Sequence, residues 1–333
     1  MPASPSKILV IRRDNIGDLV CTTPLLAHLR ELYPSSELMV LGNSYNIDVL
    51  QGNSDVDGVY YYTKSKHRRD ASLLSVYWHR FKTLRKLRGK GIDLAILATP
   101  AVDRHGCKLA RQVGARRITG VDDGSLGLDE AVSLAALKGL HQVEQVFVAA
   151  GMAAQVQQPL RVVVSEQERA WALAQLGDVD HSRGLLGVHI SARKPCNRWP
   201  IEHYAKMVRL AYEQTRLPVL LFWSPGAKND PAHPGDDEDA EQLKALLEGV
   251  PLVAFRTEKL RELAAGLSLL KALVCSDGGA MHLASGVGCP VACFFGYDGA
   301  TQWRPWGKHA LLYADPLSDI SPEQVVTALQ GLL

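Results

Sequence analysis

Residues 272–296, ALVCSDGGAMHLASGVGCPVACFFG, constrain the fold more than any other stretch, because strand, turn, helix and strand signals follow one another there without a gap. Leu273, Val274 and Cys275 end a short apolar run of the kind that forms a buried strand, and Ser276-Asp277-Gly278-Gly279 breaks it. Residues 280–285 then read as the first turns of a helix, and residues 290–295 as the next buried strand. Two glycines at the turn let the backbone come close to a ligand, and the free N–H groups of a helix start favour an anion there, a phosphate above all. An isolated Gly-Gly more often serves turn geometry alone. Here it has Asp277 before it and His282 in the first helical turn, although a lone histidine at such a place is more often packed than functional.

The same alternation runs through both halves of the chain. Strands are predicted at residues 7–13, 38–41, 59–62, 94–98 and 117–121, with helices at 19–33, 72–88 and 104–113. The second half gives strands at 185–190, 219–222, 252–255, 273–275 and 291–295, with helices at 201–214, 239–247 and 260–269 between them. Strands alternating with helices imply an α/β fold with parallel sheets wrapped on both faces, whose functional loops sit at the carboxyl ends of the strands. At 333 residues the chain has room for two domains of about 150 residues each. We divide it as 1–165 and 166–333, with the link within 155–183. Residues 224–237, SPGAKNDPAHPGDD, read as a surface loop too polar to be buried.

Composition bounds the classes of function. The chain is 47% hydrophobic and 22% charged, with no apolar run near the ~18 residues of a membrane span and only residues 8–11 where a signal peptide needs a longer core, so a cytoplasmic protein is expected. The six cysteines lack CxxC spacing and read as reduced core residues. No GxxxxGK[ST], GxGxxG or HExxH string occurs, which argues against P-loop ATPase, dinucleotide-dependent dehydrogenase and zinc-protease readings. Asp55-Val56-Asp57 and Asp237-Glu238-Asp239 match the short DxD string of metal-dependent sugar transferases, but such strings are common in acidic loops, and no metal site is expected.

Charge is unevenly placed. The net charge is +2, yet residues 64–90 hold ten Lys and Arg against the single acid Asp70. Within them, 72–88 puts Leu73, Tyr77, Phe81 and Leu84 on one helical face, with Leu74 and Trp78 beside it and Arg80, Lys82, Arg85, Lys86 and Arg88 around. A basic amphipathic helix with aromatics suits an anionic membrane surface. An ordinary sheet-packing helix with a cationic outer face is the competing reading. Asp18, after Gly17 in the first strand-to-helix loop, is either a helix-start carboxylate favoured by the macrodipole or a general base beside a ligand. Thr22 and Thr23 are first-turn hydrogen-bonders or ligand contacts. Arg193, Lys194 and Arg198, in SARKPCNRWP after the first strand of the second half, form a phosphate clamp or a solvated charge cluster.

With these motifs in order, the chain resembles glycosyltransferase family 9, the lipopolysaccharide heptosyltransferases and their relatives. KILVIRRDNIGDLVCTTPLLAHLRELYP resembles the family's opening strand, GD loop and helix. NRWPIEHYAKMV resembles its KRWP-type segment, and SDGGAMHLASGVGCPVACFFG its D-x-G-x-x-H-L-A segment. The resemblance implies a GT-B architecture of two Rossmann-like domains, the first holding the acceptor and the second mainly the nucleotide sugar. It implies Asp18 as catalytic base, and Asp277, Gly279 and His282 as the nucleotide-sugar segment. Gly278 stands where a relative often has threonine. Asn197 stands where the KRWP-type motif has its phosphate-holding lysine, so Lys194 or Arg198 would serve instead; Ser191 joins the donor loop and Asp239 is the candidate ribose or adenine contact. Thr22, Arg68, Arg69, Arg80, Arg85 and Lys86 are the acceptor-side candidates.

The activity so implied is inverting, metal-independent transfer of a heptose from an ADP-linked donor to an acidic lipopolysaccharide core sugar. ADP-sugar is then a substrate, no cofactor is needed, and the partners are the lipopolysaccharide core precursor and the anionic inner-membrane surface, with no nucleic acid. The alternatives are a relative using another nucleotide sugar or a protein acceptor, a sugar-nucleotide epimerase on the same fold, and a nucleotide-sugar-binding protein without catalysis.

Overall fold

The computed structural model describes residues 4–63, 73–228 and 235–333. Arg68 and Arg69 lie outside the described residues. The chain divides into two compact units, Met1–Val163 and Val164–Leu333, each built on one six-stranded parallel sheet. This is the pair of Rossmann-like sheets of the GT-B class. Among the described residues no helix is long and apolar enough to cross a membrane.

In the first unit the strands are β1 (Lys7–Ile11), β2 (Glu37–Asn43), β3 (Gly58–Tyr62), β4 (Leu94–Leu97), β5 (Arg117–Val121) and β6 (Glu130–Val132), in spatial order β3-β2-β1-β4-β5-β6. The centre of β1 is buried on both sides, with Val10 opposite Val40 and Ile96, so its apolar residues run without alternation, as a covered parallel strand requires. Strand order reverses between β1 and β4, and the crevice outside their carboxyl ends is where such a sheet binds ligands.

The second unit repeats the plan with β7 (Leu185–His189), β8 (Val219–Phe222), β9 (Leu252–Ala254), β10 (Leu270–Ser276), β11 (Val291–Phe295) and β12 (His309–Tyr313), in order β12-β11-β10-β7-β8-β9. Its reversal falls between β7 and β10. Trp199, from the NRWP motif, is 3% exposed in the core, edge-on to Tyr204 at 4.8 Å, and its indole N–H donates to the Ile320 carbonyl at 3.0 Å. Pro200 then caps the helix Ile201–Thr215, so one residue of the motif anchors the core and the next starts a helix.

Several elements differ from the sequence reading. The helix expected over 19–33 is two, Ile16–Val20 and Thr23–Leu32. The Thr22 hydroxyl donates to the Asp18 carbonyl at 2.8 Å, and Pro24, which lacks an N–H, sits in the first turn of the second helix. The edge strands β6 and β12 were not anticipated, β6 being three residues long and β12 only partly buried. Residues 224–237 are not surface throughout: Gly235 and Asp236 are buried, the Asp236 amide donating to the Ser224 carbonyl at 2.9 Å. Of the six free cysteines, five are buried and Cys196 is exposed, because it sits on a short turn in the loop after β7.

Candidate active site

At the reversal point of the first unit, the residues after β1 form a charged cluster around a buried arginine. Arg12 is 1% exposed; its guanidinium donates to Asp18 Oδ1 at 2.7 Å and to the Ala98 carbonyl after β4, and its Nε lies 3.5 Å from Asp14 Oδ2. The other oxygen of Asp18 accepts the Asn15 backbone amide and side-chain Nδ2, both at 2.9 Å. Asp18 therefore closes the first turn of its helix and stands at the strand end. Three donors occupy three of its roughly four lone-pair sites, which leaves one to accept a proton. The Thr99 hydroxyl donates to Asp14 at 3.0 Å, and Asn43 Nδ2 donates to the carbonyls of Arg13 and Asp14, so loops after β1, β2 and β4 fix one another.

Beside it Arg13 donates to Asp103 at 2.8 Å. Burial raises the Asp103 carboxyl, but the Arg13 guanidinium and the Gly106 N–H outweigh it and hold the group below the usual carboxylate range. Thr22 is fully buried with its hydroxyl committed to the Asp18 carbonyl, which leaves it no surface for an acceptor in this arrangement. Arg80 and Lys86 lie over the rings of Tyr62 and Tyr60, at 5.4 and 5.3 Å, and Arg85 is exposed; all three belong to the helix Leu73–Arg88.

In the second unit the loops after β7, β10 and β11 meet at the reversal point. Asp277 accepts the Tyr297 hydroxyl at 2.7 Å, and burial followed by that carboxylate pushes the Tyr297 phenol up. Asn197, 1% exposed, donates to Asp277 at 3.5 Å and accepts the Gly296 amide at 3.1 Å, while Ser276 donates to the Asn197 carbonyl at 2.5 Å. A Cβ at Gly296 would collide with the Cys196 carbonyl, which is why a glycine follows β11 here. Asn197 is thus a stitch between three loops, with its amide turned inward to Asp277.

The arginine and lysine candidates separate clearly. Arg198 donates to the buried Asp236 at 2.6 Å and lies 3.5 Å from Asp239, which also pairs with Lys228 at 3.4 Å. Lys194 instead stands 3.4 Å over the Tyr297 ring, on the exposed side of the cluster that holds Asp277. Ser191 Oγ accepts the Ser224 amide at 2.7 Å, tying the loops after β7 and β8. His282 is 3% exposed and meets Trp303, of the short helix Ala300–Trp303, edge-on at 5.9 Å.

Gly278 and Gly279 are exposed, and Gly278 is extended at φ 169°. A side chain added at Gly279 would meet nothing within 4 Å, so neither packing nor backbone strain demands glycine there. The pair leaves the start of the helix Gly279–Gly286 bare, as an anion cradle needs. Both DxD strings are consumed internally. Asp55 pairs with Arg161, Asp57 with Arg30, and Asp237 accepts the Trp223 indole N–H at 2.7 Å.

Sequence reasoning missed Arg12, Arg13, Asp103 and Tyr297. The first pair had a signal, two cations ending an apolar strand directly before Asp14 and a few residues before Asp18. Tyr297 had only its place after the glycine that ends FFG.

Comparison with known proteins agrees with this plan. Residues 80–325 match the profile of Glycosyltransferase family 9 (heptosyltransferase). The chain is 22% identical over 314 residues to lipopolysaccharide heptosyltransferase 3 of Escherichia coli K12, covering 89% of this chain and 84% of that one. Its fold is similar to a glycosyl transferase family 9 structure from Veillonella parvula (TM-score 0.83, 20% identity, covering 98% and 97% of the two chains) and to Escherichia coli ADP-heptose lps heptosyltransferase II (TM-score 0.77, 23% identity, 98% of each). A charged strand end carrying Asp18, a bare helix start beside Asp277, and a family profile spanning well over half of the residues lead to one identification: the chain is a glycosyltransferase and belongs to glycosyltransferase family 9.

Proposed function

We propose that the protein transfers a heptose, with inversion and without a metal, from ADP-heptose to an acidic sugar of a lipopolysaccharide core precursor. The observation that carries this reading is the contrast between the two reversal points. The first unit offers a carboxylate fixed by a buried arginine, and the second offers a bare helix start with a lysine that pairs with no carboxylate among the described residues. The heptosyltransferases that the chain is similar to supply the sugar, the donor and the acceptor class.

In this mechanism the acceptor hydroxyl gives its proton to Asp18. Its oxygen attacks the anomeric carbon from the face opposite the diphosphate, the new C–O bond forms, and the bond to ADP breaks with both electrons leaving on the diphosphate. Arg12 and Asn15 keep Asp18 from swinging away. The N–H groups of the helix Gly279–Gly286 and the Lys194 ammonium meet the charge that grows on ADP, the task a divalent cation performs in other transferases. Asn197, Tyr297 and Gly296 hold Asp277 and the cradle in place, and Arg85 meets anionic groups of the acceptor.

Asp18→Asn tests the assignment. The amide keeps the shape and the partners on one oxygen but cannot take the proton, so transfer should fall by a factor of about 10² to 10⁴. ADP affinity should stay within a few fold, which also reports that the variant is folded. A variant that keeps near-normal turnover contradicts the role of Asp18.

A further inference from the structure

Of the two readings that its sequence allows, the helix Leu73–Arg88 takes the one in which the aromatic side is not packed on the sheet. Val76 and Leu87 are its buried residues, and Thr83 donates to the Tyr61 carbonyl of β3, so this face covers the sheet. The larger apolar residues point away from it: Leu74 is 82% exposed, Tyr77 63%, Trp78 58% and Phe81 52%. Spacings of three and four residues place all four on one side, and Trp78 stacks on Phe81 at 5.7 Å. A monomer that buried its largest apolar groups would not leave this row in water.

The next turns of the same side are cationic. Lys82, Arg85 and Arg88 are exposed, Lys82 lies over the Trp78 ring at 5.3 Å, and the 16-residue helix contains no acid. A second copy docked through this face would set like charges against each other with no carboxylate of the helix to offset them. Aromatics with polar edges followed by cations match the boundary between acyl chains and phosphate headgroups. We propose that this outward face seats the protein on an anionic phospholipid bilayer, with Leu74, Tyr77, Trp78 and Phe81 entering the headgroup layer and Lys82 and Arg88 meeting lipid phosphates. The inference deepens the proposed function by giving the enzyme the surface that carries a lipid-linked acceptor, yet it rests on the helix alone.

The test uses the full chain and vesicles of phosphatidylethanolamine with phosphatidylglycerol, compared with pure phosphatidylcholine. The protein should sediment with the anionic vesicles and not with the neutral ones. Trp78→Gln with Phe81→Gln should weaken binding by roughly tenfold, and Lys82→Gln with Arg88→Gln by about fivefold per charge. Neither pair should change ADP affinity, since those residues lie in the other unit from the donor loops. Vesicles containing brominated acyl chains should quench tryptophan emission of the wild type, and Trp78→Phe should remove most of that quenching while keeping the protein bound. Unchanged vesicle binding in the Trp78/Phe81 variant, or quenching that survives Trp78→Phe, overturns the proposal. So does a dimer that dissociates when Trp78 is changed, which would make the row a protein interface. Transfer to a soluble acceptor fragment fails or succeeds independently of these readouts, so a failed transfer reading would leave them intact.

Discussion

Asn197, Arg198 and Lys194 lie within five positions of one another and have three different tasks. A buried amide that bridges Asp277 and Gly296 cannot also reach a ligand, and an arginine committed to the buried Asp236 is structural first. Lys194 lies over an aromatic face with no carboxylate partner among the described residues, and in the proposed mechanism it meets the diphosphate. Lys194→Gln should therefore weaken ADP binding on the order of tenfold, because the diphosphate no longer meets an ammonium donor, and should leave the melting temperature unchanged. Arg198→Gln should do the reverse, costing about 2 kcal/mol of stability because Asp236 is left buried without its partner, while ADP affinity moves little. Calorimetry and thermal melting of the two variants check the pair; an ADP loss confined to Arg198→Gln would exchange the two assignments. From sequence, the cluster of cations was legible but their division was not, because it depends on Asp236 and Tyr297, far away along the chain. The helix-start role of Asp18 was legible. The buried Arg12 that fixes it was not, since an arginine at a strand end reads as solvated until its burial is known.

At the scale of elements, the second unit is braced by a contact between two helices. Arg261, in the helix Leu260–Leu267, donates to both oxygens of Glu168 at 2.8 and 2.7 Å, and Glu168 also accepts the Ser165 amide at 2.8 Å as it caps the helix Glu166–Ala174. The Arg261 bond, with those from Ser165, lowers the Glu168 carboxyl from 4.5 to about 2. A carboxyl depressed on folding contributes stability that is full above its unfolded value and lost as pH falls from about 4.5 towards 2. Glu168→Gln should cost about 2 kcal/mol at pH 7, and the difference from wild type should shrink below pH 4.5 and vanish near pH 2. Urea unfolding followed by tryptophan emission reads the right unit, because five of the six tryptophans lie in it. A difference that persists unchanged at pH 2 would show that the ionised pair is not its source. Periodicity placed most helices and strands, since covered parallel strands read as apolar runs. It missed β6, three residues long, and β12, whose apolar run 310–314 is only partly buried at the sheet edge, but it placed the helix Leu73–Arg88, where the heavier apolar row faces out.

For the whole molecule, alternation of strands and helices was enough to anticipate two doubly wound sheets. Parallel strands need crossover helices, and each reversal of strand order puts functional loops at one end. What alternation could not supply is which chemistry occupies each reversal point, and that came from side chains gathered there: Asp18 on Arg12 in the first unit, Asp277 beside the bare helix start in the second. The most direct measurement gives the purified protein a core acceptor lacking its heptose, with ADP-heptose or UDP-glucose as donor, in EDTA, and follows acceptor mass and released nucleotide. The expected result is one heptose added per acceptor with stoichiometric ADP from ADP-heptose alone, undiminished by EDTA. Transfer only from UDP-glucose, or transfer that stops in EDTA and returns with Mg²⁺ or Mn²⁺, would contradict the proposed donor or the metal-free stabilisation of the leaving diphosphate.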